Sequence, residues 1–421
     1  MRLKILVTSL SMLGFLLGGC GDSADSEISD TESATLPNSS TTPGANPATS
    51  PGTGAFTWPA NTRDAVLNYV QIVRASYADS VTTAETLQTA CNTLVSNPSA
   101  ETQKAAKEAW LKSRVPYLQT EVFRFYDGPI DDEDGPEGAI NAWPLDENYI
   151  DYVRMQPNAG IINDPTKNID DMLRGLNEEG GEANIATGYH AIEFLLWGQD
   201  DSDPSDGKPG KRSHMDYVSS ATGPGAQAER RGQYLNKVAQ MLVDDLKSVQ
   251  SEWVDGAAYH TSFISDEKAA FQKIITGMII LSGFETGSER IKPALDRGDQ
   301  EEEHSCFSDN THVDMIEDVR GIHNVWFGAY RKVDGTMVQG VGVKDVVEQI
   351  DGPLAAQLSA EMNDTLAKAE LLRQHIPFDQ AIQKDNPGYV VVTDLLNALT
   401  QQTKTMRQVV AKMGFQVNDP E

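Results

Sequence analysis

His190 and Glu193 stand three residues apart within Gly188-Tyr189-His190-Ala191-Ile192-Glu193-Phe194-Leu195-Leu196-Trp197-Gly198. On a helix this spacing sets an imidazole nitrogen and a carboxylate on one face, where both can meet one metal ion. Di-iron bundle proteins use the reverse order, Glu-x-x-His, for that purpose. The same spacing also serves a histidine that only bonds its helix neighbour beside the apolar run from Phe194 to Trp197. A second concentration of ligand types fills residues 299–312, with five acids and two histidines in fourteen residues. Glu303 and His304 are its candidate ligands, and His312 is a weaker one. The alternative is a solvated acidic turn ahead of a helix capped by Asp309 or Asn310. In a third stretch, residues 120–131, Glu121 and Arg124 are spaced to pair along a helix, and further on Trp143-Pro144 marks a rigid turn. Glu121 is a candidate carboxylate for the same site. The remaining histidines, His214, His260, His323 and His375, have no ligand-like neighbours.

The elements that must position these groups read as helices. Val66, Tyr69, Val70, Val73 and Tyr77 step by three and four, as do Leu235, Val238, Leu242, Leu246, Val249 and Trp253, and then Phe271, Ile274, Ile275, Met278 and Ile279. Leu354, Leu358, Met362, Leu366, Ala369, Leu372 and Ile376 form a stripe stopped by Pro377, and Val392 to Met413 form another. Sustained alternation of period two is absent. The expected fold is all-α, with two four-helix-bundle-type domains, residues 58–228 and 229–421, divided near Gly223-Pro224-Gly225. Residues 125–215 are dense in Gly, Pro, Asn and Asp, but they carry Trp143, Tyr149, Tyr152 and Ile161-Ile162, so these long loops are expected to pack against the bundles.

Composition narrows the partners. The 421 residues include 34 Lys plus Arg against 62 Asp plus Glu, a net charge of -28. A field this acidic repels nucleic-acid phosphates, so nucleic acid is not an expected partner. Arg2 and Lys4, the apolar run from Ile5 to Leu17 and Leu17-Gly18-Gly19-Cys20 read as a signal peptide over 1–19 that ends in a lipobox, with Cys20 as the lipidated first residue. Acyl chains on Cys20 would be the sole membrane contact. Gly21, rather than Asp, follows Cys20, which points to the outer membrane of a bacterial envelope. Residues 20–57, rich in Ser, Thr, Pro and Gly, form a tether that cannot bury enough apolar surface to fold. Cys91 and Cys306 then remain as a candidate disulfide, with two separate buried thiols as the alternative.

The block GYHAIEFLLWGQD, with Gly188, His190 and Glu193 as its Gly-x-His-x-x-Glu signature, together with TEVFRF, GPID, NAWPLDE, the GSER at Gly287 to Arg290 and EHSCFSDNTH, resembles the iron-regulated branch of the imelysin-like family. The resemblance runs from about residue 60 to the C-terminus. It implies two helical bundles around a shared cleft faced by the signature helix, on an envelope protein linked to iron acquisition, with an iron-transport protein as a partner. Two activities are compatible with it. One is a binding module that holds a metal ion, iron or another divalent metal, or an iron-containing ligand, with His190 and Glu193 as ligands and Glu121, Glu303 and His304 as completing groups. The other is a metallopeptidase holding zinc, in which Glu193 takes a proton from a metal-bound water. His-Glu-x-x-His and His-x-x-Glu-His are both absent from the chain, so a peptidase would need ligands from elsewhere. A third reading makes the signature architectural, with no metal bound.

Overall fold

Thr62–Ser96 (α1) is a 35-residue helix with no Gly or Pro to interrupt it. One face, from Val66 and Val73 through Tyr77 to Leu87, Cys91 and Leu94, is buried. The other is thick with Thr, a weak helix former, whose hydroxyls bond back one turn, as Thr82 does to the Ala78 carbonyl at 2.8 Å and Thr93 to that of Thr89 at 2.8 Å. Asn97-Pro98 ends it, because a residue before proline is driven out of helical geometry. Ala100–Leu118 (α2) starts on a capping box between Ser99 and Thr102, and its buried face includes Ala106, Trp110, Arg114 and Tyr117.

The computed structural model describes residues 56–201, 206–220 and 222–420. The expected signal peptide, Cys20 and the tether up to residue 55 lie outside them. After α2 the chain runs through short helical turns to Gly188–Trp197 (α3), then to Ala228–Glu252 (α4) and Glu267–Ile279 (α5), which Asp266 caps by accepting from the Lys268 and Ala269 amides. α5 continues without a break into a π-helix over Ile280–Ile291. Thr311–Phe327 (α6) closes on Gly328 and leads into a small antiparallel hairpin, Ala329–Arg331 (β1) with Met337–Gln339 (β2), in which Tyr330 faces Val338. Gly352–Leu371 (α7) and Gly388–Lys412 (α8) complete the frame. Among the described residues no helix is long and apolar enough to cross a membrane.

The fold is predominantly helical, as the periodicity predicts. α1 packs against α2 and α4, α4 also packs against α3, and α7 packs against α8. The helix that begins at Ala228 thus rests on elements from the other side of the expected division at 228/229. One large core contains residues of every helix named except α8's first half, and a smaller one joins Ile291, Leu295, Met315, Ile316, Leu372, Phe378, Val392 and Leu395. The glycine-rich middle does pack inward: Ile140, Ile150, Ile161 and Ile162 are buried. Buried Asp151 pins it, accepting from Arg212 Nη1 at 2.7 Å and from Arg231 Nε at 2.7 Å. The disulfide expectation is corrected. Cys91 and Cys306 are free thiols, both buried within the large core. Burial pushes the Cys91 thiol up to about 12, so it behaves as a small hydrophobe.

Candidate functional site

α3 owes its burial to its composition. Every one of its ten residues is buried, because the flanks of His190 and Glu193 are Tyr, Ala, Ile, Phe, Leu and Trp. Gly188 starts it at φ +83°, and a Cβ there would come within 2.4 Å of the Ile140 carbonyl oxygen. The first residue of the signature is therefore fixed by the close passage of the 140 loop, not by chemistry.

His190 and Glu193 meet as the spacing predicts, but they meet each other. His190 Nδ1 lies 2.9 Å from Glu193 Oε2. Glu193 Oε1 accepts from the Ser308 amide at 2.9 Å and from its hydroxyl at 2.6 Å. Burial raises the Glu193 carboxyl to about 8, against the smaller opposing effect of Ser308, and lowers His190 well below its ordinary value. The pair is neutral at pH 7. His190 Nε2 is buried with no hydrogen-bond partner.

A second imidazole stands against the first, with the His190 and His304 ring centroids 4.9 Å apart and the Trp143 ring 5.1 Å from His190. His304 Nδ1 is 3.0 Å from Asp314 Oδ2, which also accepts from the Ser305 hydroxyl and pairs with Arg114 Nη2 at 3.2 Å. Burial works to raise Asp314, but Arg114 and the bonds from His304 and Ser305 outweigh it and hold the carboxyl well below the usual range. Burial and the nearby Arg290 lower His304 to about 4. Arg114 also donates to Asn141 Oδ1, tying α2 to the 141 loop.

Glu121 is held elsewhere. Its Oε2 accepts from Arg124 Nη1 at 2.7 Å and from Arg290 Nη2 at 2.8 Å. Burial raises this carboxyl, but the two arginines prevail and keep it ionised. Arg290 also reaches Glu285 at 2.8 Å and Asp318 at 2.8 Å. Glu285 and Arg290 are five residues apart, which in an α-helix turns them about 140° from each other. The wider π winding brings them onto one face.

His304, Trp143, Arg124, Glu285 and Arg290 border a recess of about 550 Å³. Asn141, Trp143 and Pro144 form one wall, Glu285, Glu289 and Arg290 of the π-helix another, and Glu301, Glu302 and His304 of the acidic turn a third. None of the α3 residues lines it, so the signature helix sits behind the wall that His304 and Trp143 present. Glu303 points the other way: it is buried outside the recess, its Oε2 lacks a partner, and burial with the nearby Asp379 raises its carboxyl well above the usual range. His312 is likewise outside the recess, with Nδ1 buried and unpartnered.

The donor set does not suit a bare metal ion. Among the described residues no three His, Cys, Asp or Glu side chains converge on a point. Glu193 has both oxygens engaged, Asp314 serves His304 and Arg114, and Glu121 serves two arginines. Sequence reasoning passed over Arg114, Asp314 and Ser308. Arg114 had a signal, a charged residue within the Ala106, Trp110, Tyr117 stripe of α2. Asp314 and Ser308 had none, since Ser308 meets Glu193 across 115 positions.

A helical frame around a buried Gly-x-His-x-x-Glu helix, with a polar recess beside it, defines an imelysin-type protein. The imelysin (peptidase M75) family profile matches residues 73–406, and the chain belongs to that family. It is 26% identical over 352 residues to iron-regulated protein A of Synechococcus elongatus, covering 81% of this chain and 83% of the relative. Its fold is similar to a crystal structure described as an iron-regulated protein A precursor from Parabacteroides distasonis, with a TM-score of 0.64 at 17% identity, covering 85% of this chain and 97% of the other. It is also similar to an imelysin-like protein from Psychrobacter arcticum, with a TM-score of 0.55 at 14% identity, covering 87% and 99%.

Proposed function

We propose that the protein is an envelope lipoprotein, anchored through Cys20 to the outer membrane, that binds an iron-containing ligand in the recess beside His304 and serves an iron-transport system. The iron link is drawn from the family's iron-regulated members. The observation that carries the mode of binding is the mutual pairing of the signature residues. His190 Nδ1 and both Glu193 oxygens are engaged, Glu121 is clamped by arginines through Oε2, and among the described residues no three ligand side chains converge, so iron is taken up with its own ligands around it, as a chelate. A recess of about 550 Å³ suits such a cargo, within the range of about 300–1,000 Å³ usual for small-molecule sites. The residues of α3 then act as a buried support that fixes the wall formed by His304 and Trp143.

The peptidase reading needs a metal-bound water beside a free carboxylate, and Glu193 has no free oxygen to offer.

The test uses the chain from residue 21, purified without a His tag. Equilibrium dialysis against ferric hydroxamate, citrate and catecholate chelates, against ferrous iron and against zinc reads stoichiometry directly, and the part of the tryptophan emission lost in Trp143→Phe reports occupancy. Binding of one chelate per chain without retention of bare metal is expected. Retention of bare iron or zinc abolished by His190→Ala would overturn the chelate reading. Chelator-sensitive peptide cleavage would restore the peptidase.

A further inference from the structure

The charges around the recess are unevenly distributed. Its carboxylates are Glu137, Glu178, Glu182, Glu285, Glu289, Glu301 and Glu302, against the guanidinium groups of Arg124, Arg290 and Arg297. Each arginine is already matched. Arg124 pairs with Glu121 and Glu137, Arg290 with Glu121, Glu285 and Asp318, and Arg297 with Glu302. Glu178, Glu182, Glu289 and Glu301 pair with none of the three, and they lie at the exposed rim.

Deeper in, the polarity reverses. Asn141 is 3% exposed and lines the recess. Arginine can only donate, so the bond from Arg114 Nη1 makes the Asn141 atom it meets the oxygen. The amide nitrogen that remains is buried and donates to nothing. Arg124, which also lines the recess, has its Nε buried and unpartnered. A buried donor left unmatched is costly, so a ligand that supplies acceptor oxygens here gains more than one that supplies donors.

We infer that the cargo is a ferric chelate with an oxygen-donor core and a net positive charge, its oxygens turned toward Asn141 and Arg124 and its cationic arm laid along the glutamate rim. This rests on the reading that the recess takes an iron chelate. A ferric trihydroxamate with a pendant primary amine has this chemistry, because three hydroxamates neutralise Fe³⁺ and the ammonium sets the net charge. A ferric tricatecholate has the opposite charge and meets repulsion at the rim.

The probes are the amine-bearing ferric trihydroxamate, the same compound with its amine acetylated, and a ferric tricatecholate, titrated into the soluble chain by calorimetry at two salt concentrations. The amine form should bind about 5- to 10-fold more tightly than the acetylated form, a preference that shrinks in high salt, and the tricatecholate more weakly than either. Glu182→Gln with Glu289→Gln, both exposed and safe for folding, should bring the two hydroxamates to within about 2-fold of each other. Asn141→Leu should weaken both hydroxamates by a similar factor of about 10, leaving their ratio intact. Equal or tighter binding of the tricatecholate overturns the inference while leaving the chelate reading standing, as does a charge preference that survives the double glutamate change. If no ferric chelate binds, the chelate reading itself falls and takes the inference with it.

Discussion

Two imidazole–carboxylate pairs stand side by side in this protein and hold different charge states, one neutral and one with an ionised carboxylate. His190–Glu193 and His304–Asp314 have bonds of nearly equal length, 2.9 Å and 3.0 Å, and all four residues are buried. Glu193 has only Ser308 as a further partner, so burial wins and the carboxyl keeps its proton up to about 8. Asp314 has Arg114, so it stays ionised. The ring protons are placed accordingly. A protonated Glu193 donates to His190 Nδ1 and leaves the ring hydrogen on Nε2, whereas His304 donates from Nδ1 to Asp314 and keeps a lone pair on Nε2. A motif spaced for metal ligation is thus turned to internal pairing by its surroundings, and the neighbouring charge, not the spacing, decides what each carboxylate does.

The largest break in this contrast should come from Arg114→Met. It strands the Asp314 charge in the core and should cost about 3–5 kcal/mol in urea denaturation. A loss below about 1 kcal/mol would mean that Asp314 is not ionised. Asp314→Asn leaves Arg114 unmatched instead and should cost about 2–3 kcal/mol, with chemical shifts showing the His304 tautomer disturbed. Ser308→Ala removes one hydroxyl bond to an already neutral group, so about 1 kcal/mol is expected, and Glu193 should titrate higher still. Glu193→Gln replaces a neutral acid by a neutral amide and should be within about 1 kcal/mol of wild type below about pH 4.3, where Glu193 is protonated in both the folded and the unfolded chain. Its signature lies in pH. A carboxyl raised above its unfolded value of about 4.3 stabilises the fold fully below that value and loses the benefit as pH climbs through about 8. The difference in urea midpoint between wild type and Glu193→Gln should therefore move in favour of the variant between pH 6 and pH 9, and a constant difference would place the Glu193 proton elsewhere.

Much of the frame was legible in the sequence because it is written locally. The stripes of α1, α4, α7 and α8 are visible within a few turns, and His190 and Glu193 share a face for the same reason. The features that escaped depend on distant partners. The glycine-rich middle is held by Asp151 reaching Arg212 and Arg231 across 61 and 80 positions, which no local period announces. Arg114 sets the state of Asp314 from another element, and Ser308, also from another element, opposes the burial that keeps Glu193 protonated. The cysteine pair could not be resolved by counting, since two thiols leave the same sequence trace whether bonded or apart. Glu303 and His304, adjacent in sequence, face different surroundings, a buried acidic pocket and the recess, and only the turn between Gln300–Glu302 and α6 separates them.

The π winding of residues 280–291 makes the length of that segment a determinant of the recess in its own right. A helix that takes more residues per turn carries slack, and here the slack sets the phase at which Arg290 arrives opposite Glu121 and Asp318. Losing one residue, such as Gly287, lets the segment tighten toward α pitch and turns the residues beyond it by about 100°. Arg290 would then rotate out of register with three acids while every side chain remained chemically the same. Indels in this stretch, more than replacements, are the changes by which one member of such a family could retune the wall of its recess and another lose it.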